Sequence, residues 1–221
     1  MTQPEIEIRS AWRHIAGHHH DGYIDDVLMR YAEPHRHYHT ATHIMFVLRH
    51  LYEISEATRQ ASPGPVSAEV VAAALYHDAI YDPRAADNEA CSAVLAVNDL
   101  TEIGWTAHRC ESVASLIVAT AGHLVDDDTA PGHAKEPDAA MLLDADLAIL
   151  GADPGAYQAY INGIRAEYRH VDDEQWRAGR TAVLRRFLHR QRLFITEHMH
   201  TTLEHRARAN IDAELAALRA E

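Results

Sequence analysis

The stretch Ala72-Ala73-Ala74-Leu75-Tyr76-His77-Asp78-Ala79-Ile80-Tyr81-Asp82-Pro83 decides how the rest of the chain is read. Apolar residues recur at helical spacing from Val70 to Ile80, so the segment reads as a helix. Ser67 and Glu69 open it, after the breaker Ser62-Pro63-Gly64-Pro65. At its end an imidazole and a carboxylate stand side by side. A carboxylate placed among Leu75, Ala79 and Ile80 is costly unless it is paired, and a cation at that point accounts for it. The dipeptide alone is weak: in a chain with 18 His such pairs arise by chance. His20-Asp21 is a second instance and reads as a solvated helix connection.

Outward from that helix, the same spacing runs through Ile6 to Ile15, Ile24 to Tyr31 and Ile44 to Ile54 on the N-terminal side. Asp25 and Asp26 suit a helix start, and Thr40 or Thr42 can cap the third segment. On the C-terminal side, helices are predicted over Asn88 to Leu100, then after a break at Gly104 over about Thr106 to Ala121. Leu142 to Leu150, Tyr157 to Tyr168, Trp176 to Arg190 and Ile195 to Leu218 follow. The polar stretch from Asp126 to Pro137 reads as a flap or insertion. Only 10 Gly and 8 Pro interrupt a chain rich in Ala, Leu, Glu and Arg, which favours helices over strands. The expectation is one all-α domain over residues 1–221, without a sheet. The stripe Tyr157, Ile161, Ile164 and Tyr168 should pack the later helices on the core.

Charge and composition exclude some functions. The formal net charge of −13 repels phosphate backbones and argues against nucleic acid as a partner. An acidic protein can still act on small phosphates if a metal ion inverts the local field. Cys91 and Cys110, the only two cysteines, form no CxxC and no disulfide framework. No run approaches a membrane span and Met1 to Trp12 hold no apolar leader, so the expectation is a soluble, cytoplasmic protein with no membrane partner. The His count overstates metal binding, because many histidines must lie on the surface, His18, His19 and His20 first.

Two further segments carry candidate ligands. In Arg36-His37-Tyr38-His39-Thr40-Ala41-Thr42-His43-Ile44, His43 stands at the start of an apolar helix and shares a face with Val47, His50 or Leu51, and Ile54. Alone, such a histidine is more often a hydrogen-bonded core residue than a ligand. In Met141-Leu142-Leu143-Asp144-Ala145-Asp146-Leu147-Ala148-Ile149-Leu150-Gly151, two carboxylates interrupt an apolar helix on different faces, so one Asp ligand is expected there. Imidazole and carboxylate together suit a divalent ion of the Mn, Fe, Mg, Co or Ni class rather than a structural zinc.

An isolated His, a later His-Asp pair and a still later Asp on helices resemble the HD superfamily in ligand order. More narrowly, the chain is similar to bacterial predicted metal-dependent HD phosphohydrolases. The resemblance rests on Glu33-Pro34-His35-Arg36-His37-Tyr38-His39, His77 to Pro83, Asp87-Asn88-Glu89 and Asp144 to Gly151. It continues into Tyr168, Gly179-Arg180, Val183-Leu184 and Phe187-Leu188-His189-Arg190. It implies an HD-type helical bundle with additional C-terminal helices packed on the core. It implies metal ligands His43, His77, Asp78 and Asp146, with Asp146 preferred to Asp144 because it follows a small residue and precedes an apolar one. His39 is the competitor for the first ligand and otherwise supports the site from outside.

What the resemblance implies for function is hydrolysis of a phosphate ester, of a nucleotide or other small phosphorylated metabolite, by water activated at the metal. Asp78 would orient that water. Glu89 and Asp82 are candidate proton-transfer groups, Arg36 and Arg84 candidate phosphate ligands, and His123 a group touching phosphate or a second metal. Each also has a plainer reading: Asp87 as a helix cap, Glu89 as a first-turn carboxylate, His123 as a helix-end imidazole. His108 is expected at the surface. The alternatives are a di-iron HD-domain oxygenase and a non-catalytic nucleotide-binding module, and a homodimer stays open.

Overall fold

The computed structural model describes residues 1–58, 66–121 and 137–220, and among them every regular element is a helix. In chain order these are α1 (Gln3–Ala16), α2 (Asp21–Tyr31), α3 (Ala41–Thr58), α4 (Ala68–Tyr76), α5 (Asn88–Glu102) and α6 (Ala107–Thr120). Then come α7 (Pro137–Leu147), α8 (Pro154–Glu167), α9 (Asp173–His189) and α10 (Glu197–Ala220). The all-α expectation holds for these residues. The breaker Ser62 to Pro65 and nearly all of the expected flap lie outside the described residues.

Helix α4 is the axis. From Val70 to Tyr76 every residue is buried, as a helix apolar all round must be. It packs against α1, α3, α5, α6 and α7. Ala72, Ala73 and Ala74 are fully inaccessible, and the absence of longer side chains lets neighbouring helices close in. Enlarging one of them would overpack the site at a cost of about 1–3 kcal/mol. Ser67 starts the helix by accepting the Val70 N–H.

The helix stops earlier than its apolar period suggests, at Tyr76 rather than Ile80. The His77 N–H still reaches Ala73 O, but the Ala79 N–H turns back to Tyr76 O, leaving the next carbonyls without helical partners. The Arg36 guanidinium takes them up, donating from Nη1 to Asp78 O at 2.7 Å and from Nη2 to Ala79 O at 3.0 Å. The end of α5 follows the sequence more closely: Gly104, at φ +91°, adopts the left-handed conformation that ends helices.

The later helices share the core of the earlier ones. A continuous apolar cluster includes Ile8 and Trp12 of α1, Leu75 of α4, Tyr157 of α8, Leu184 of α9 and Leu203 of α10. Of the predicted stripe on α8, Tyr157 joins this cluster and Ile161 packs on it, while Ile164 is buried outside it and Tyr168 lies against Trp176. A 3-10 turn over Ala148–Gly151 lies along α10. The approach is so close that a Cβ on Gly151 would fall 2.7 Å from Leu203 Cβ, so only glycine fits. The Arg180 guanidinium donates to the Glu214 carboxylate, which also accepts the Tyr157 hydroxyl, so a buried ion pair ties α8, α9 and α10 together.

Cys91 is exposed, Cys110 is buried, and both are free. No helix among the described residues is long and apolar enough to cross a membrane.

Candidate metal centre

Three helix ends bring the site together. Thr40 caps α3, its carbonyl accepting the His43 and Ile44 N–H groups, and so places His43 in the first turn facing inward at 3% exposure. His77 follows directly on the buried axis and is 1% exposed. Asp146 sits in the last turn of α7, which packs on both α3 and α4. One ligand atom each from His43, His77 and Asp146 lies within 4.8 Å of the other two.

The individual distances are short enough for the atoms to share one ion. His43 Nε2 is 3.2 Å from His77 Nε2 and 3.2 Å from Asp146 Oδ1, and His77 Nε2 is 3.6 Å from that oxygen. Asp78 Oδ2 adds a fourth atom, 3.4 Å from His43 Nε2 and 3.2 Å from His77 Nε2. Ligands about 2.0–2.6 Å from a common ion and at right angles to one another lie roughly 2.8–3.7 Å apart. His77 Nδ1 stands 3.0 Å from Ala74 O and, as the donor to a carbonyl, must carry the hydrogen. That leaves the lone pair of its Nε2 pointing at the cluster. The two imidazole nitrogens and the Asp146 oxygen form one group, with the Asp78 oxygen beside the nitrogens, and that donor set suits a divalent cation.

Electrostatics agree. Burial works against a charged His77, but the carboxylates of Asp78 and Asp146 outweigh it and hold its pKa well above the ordinary value. His43 is raised in the same way: burial opposes its charge, and Asp146 and Asp78 overcome it. Burial also opposes ionisation of Asp78, yet His77, His39 and His43 hold its carboxyl well below the usual range. The pocket therefore concentrates positive charge, as protons on the imidazoles or as an ion in their place. Two buried polar atoms at its edge, His43 Nδ1 and the Tyr38 hydroxyl, have no hydrogen-bond partner among the described residues.

Asp144 is not part of this cluster. Its Oδ1 accepts the Ile195 N–H, and its Oδ2 accepts the Thr196 N–H and hydroxyl, so it anchors the start of α10. Asp146, the residue preferred in the sequence, is the one that lies with His43 and His77.

The remaining residues singled out in the sequence have local roles, and Arg36 needs the clearest correction. Its side chain is buried and donates to Glu33 Oε2, His39 O, Asp78 O and Ala79 O, so it is a strap behind the ligands and not an open phosphate site. Asp82 is exposed and closes a turn, its Oδ1 accepting the Arg84 N–H. Arg84 is exposed as well. Asp87 precedes α5 at its cap position, although its side chain makes no cap bond. Glu89 lies half-buried in the first turn of α5, and its charge, after burial and Glu167, helps push the Tyr168 hydroxyl pKa up. His108 is exposed, as expected, and His123 lies outside the described residues.

Sequence reasoning missed Glu167, the last residue of α8. Its Oε1 accepts the N–H groups of His37, Tyr38 and His39, and its Oε2 accepts from His39 Nδ1 at 2.7 Å and from the Tyr81 hydroxyl at 2.9 Å. Burial alone would raise its pKa, but His39 and these amides bring it down to about 2. No local pattern marks this residue; the only signal was its place beside Tyr168, in a segment already noted for its resemblance. In comparisons with protein-family models, curated proteins and solved structures, none matched the chain.

Proposed function

We propose that the chain is a metal-dependent phosphohydrolase of the HD type, acting on a small phosphate ester such as a nucleotide. One observation carries this reading: His43, His77 and Asp146, from three separate stretches of chain, hold two imidazole nitrogens and a carboxylate oxygen 3.2–3.6 Å apart, and Asp78 adds an oxygen 3.2–3.4 Å from the two nitrogens. Two neutral imidazoles and two carboxylates carry two negative charges, which a divalent ion of the Mn, Fe, Mg, Co or Ni class balances. Such an ion, when bound, supplies the charge that polarises a phosphoryl oxygen and lowers the pKa of water.

The chain's own residues set the geometry. The Arg36 strap and the end of α4 fix the backbone on which His77 and Asp78 stand, so the ligands are held before any ion arrives. Asp78 and Asp146, 15% and 16% exposed in their side chains, are the carboxylates that a water or substrate can reach, and Asp78 would orient what binds there. With a net charge of −13, the protein attracts an anionic substrate only where the cation sits.

Metal analysis of protein purified without added ions, together with a panel of phosphate esters, tests this. One bound ion and phosphate release support the hydrolase. Two irons without phosphate release point to oxygenase chemistry, and no ion at all points to a non-catalytic helical module.

A further inference from the structure

The ligand cluster leaves one nearby imidazole without a role. His39 lies one turn before His43, its ring edge-on to the His43 ring with centroids 5.7 Å apart and against the Tyr81 ring at 4.3 Å. Its Nε2 faces Asp78 Oδ2 at 3.9 Å. The other nitrogen, Nδ1, is 2.7 Å from Glu167 Oε2.

Glu167 can only accept here. Three backbone N–H groups point at Oε1 and a tyrosine hydroxyl shares Oε2 with His39, so five donors converge on one buried carboxylate. A carboxylate so surrounded is ionised and has no proton to give. Nδ1 of His39 must therefore carry the hydrogen, and the lone pair of a neutral ring is on Nε2, facing Asp78. Two acceptor atoms then face each other 3.9 Å apart. A cation that touches both resolves this. At about 2.1 Å from each atom it would span a 3.9 Å separation with the two ligands well apart around it.

We propose that His39 is a further nitrogen ligand of the cation site, and that Glu167 is the residue that positions it by fixing its tautomer. The proposal rests on the metal reading given above. It assigns α8 a part in ion binding, because Glu167 brings the 37–39 segment and its imidazole to the site from 128 positions away. A carboxylate behind a ligating imidazole fixes the ring and raises its basicity, and losing that partner typically weakens metal affinity about 10- to 100-fold.

Glu167→Gln is the informative change. The amide oxygen can still accept the three backbone N–H groups, while the amide NH2 now faces His39 Nδ1 and turns it into an acceptor. The hydrogen moves to Nε2, which then donates toward Asp78 and can no longer bind an ion. Nitrogen NMR of the metal-free proteins reads the tautomer directly, and calorimetry with Mn2+ reads affinity. In wild type, His39 should be protonated at Nδ1 and bare at Nε2. E167Q should reverse this and weaken Mn2+ binding roughly 10- to 100-fold. His39→Ala should weaken it to a similar degree, and it leaves the other four donors on Glu167, so it tests the ligand even if E167Q unfolds. Unchanged Mn2+ affinity in His39→Ala overturns the assignment of His39 while leaving the four-ligand reading intact. Failure of wild type itself to take up Mn2+ overturns the metal reading and this inference with it.

Discussion

Asp144 and Asp146 stand two residues apart on α7, yet one anchors the start of α10 and the other lies in the proposed metal site, so exchanging each for alanine should separate two losses. In Asp144→Ala the N–H groups of Ile195 and Thr196 and the Thr196 hydroxyl lose acceptors at 2.8, 2.7 and 2.6 Å. These donors are partly buried, and at about 1 kcal/mol each the loss is roughly 3 kcal/mol. For a chain of this size, each kcal/mol lowers Tm by about 2–4 °C, so melting should fall by roughly 6–12 °C. Asp146→Ala touches a carboxylate whose partners include two imidazoles that can shed their protons, and it should cost about 1 kcal/mol in chelator. It should abolish Mn2+ uptake, which Asp144→Ala should keep at temperatures where it is folded. Calorimetric melting in chelator and Mn2+ titration on the same samples read both effects. The reasoning is refuted if Asp144→Ala melts like wild type but no longer binds the ion, or if Asp146→Ala binds it with full affinity.

Three other outcomes follow from the same contacts. Asp78→Ala should lose Mn2+ binding and any phosphate release while keeping its circular dichroism, and full hydrolysis in that variant would rule out the hydrolase reading. Arg36→Ala removes the donors to three backbone carbonyls, and should cost about 3–5 kcal/mol and lower the urea midpoint well below that of wild type; an unchanged midpoint would mean that water replaces the strap. Glu167 has its folded pKa depressed from 4.5 to about 2, so its contribution to stability is present in full above 4.5 and is lost as pH falls through about 2. The gap in urea midpoint between wild type and Glu167→Gln should accordingly be constant near neutral pH and shrink between pH 4.5 and 2, and a gap that does not move with pH would contradict this.

Much of the fold is written in local pattern. The 3.6-residue period marks each helix, and Gly104 and Thr40 mark ends because their roles depend on neighbouring residues alone. The end of α4 escaped, since Ala79 and Ile80 continue the apolar period past His77 and Asp78, and the chain turns there because Arg36, 42 positions away, donates to the freed carbonyls. Arg36 itself was misread for the same reason: a guanidinium beside a ligand motif suits phosphate as well as it suits carbonyls, and only its burial decides. His43, His77, Asp78 and Asp146 were picked out by their order along the chain, and the fold brings His43, His77 and Asp146 together with Asp78 beside the two histidines. Glu167 was not, because what defines it is a set of donors 86 to 130 positions away, and nothing in its own segment differs from an ordinary helix end.

The spacing of the proposed ion-binding groups along the chain has a consequence for biosynthesis. The carboxylate of Asp146 comes from a segment made long after His43, and the Glu167 clamp comes later still. On the proposed metal reading, a growing chain that has folded its first helices holds the histidines but not the full set, and would capture an ion only weakly. Cation uptake would then report that the C-terminal helices have docked, which makes a bound ion a mark of a finished molecule in a way that a site within one hairpin could never be.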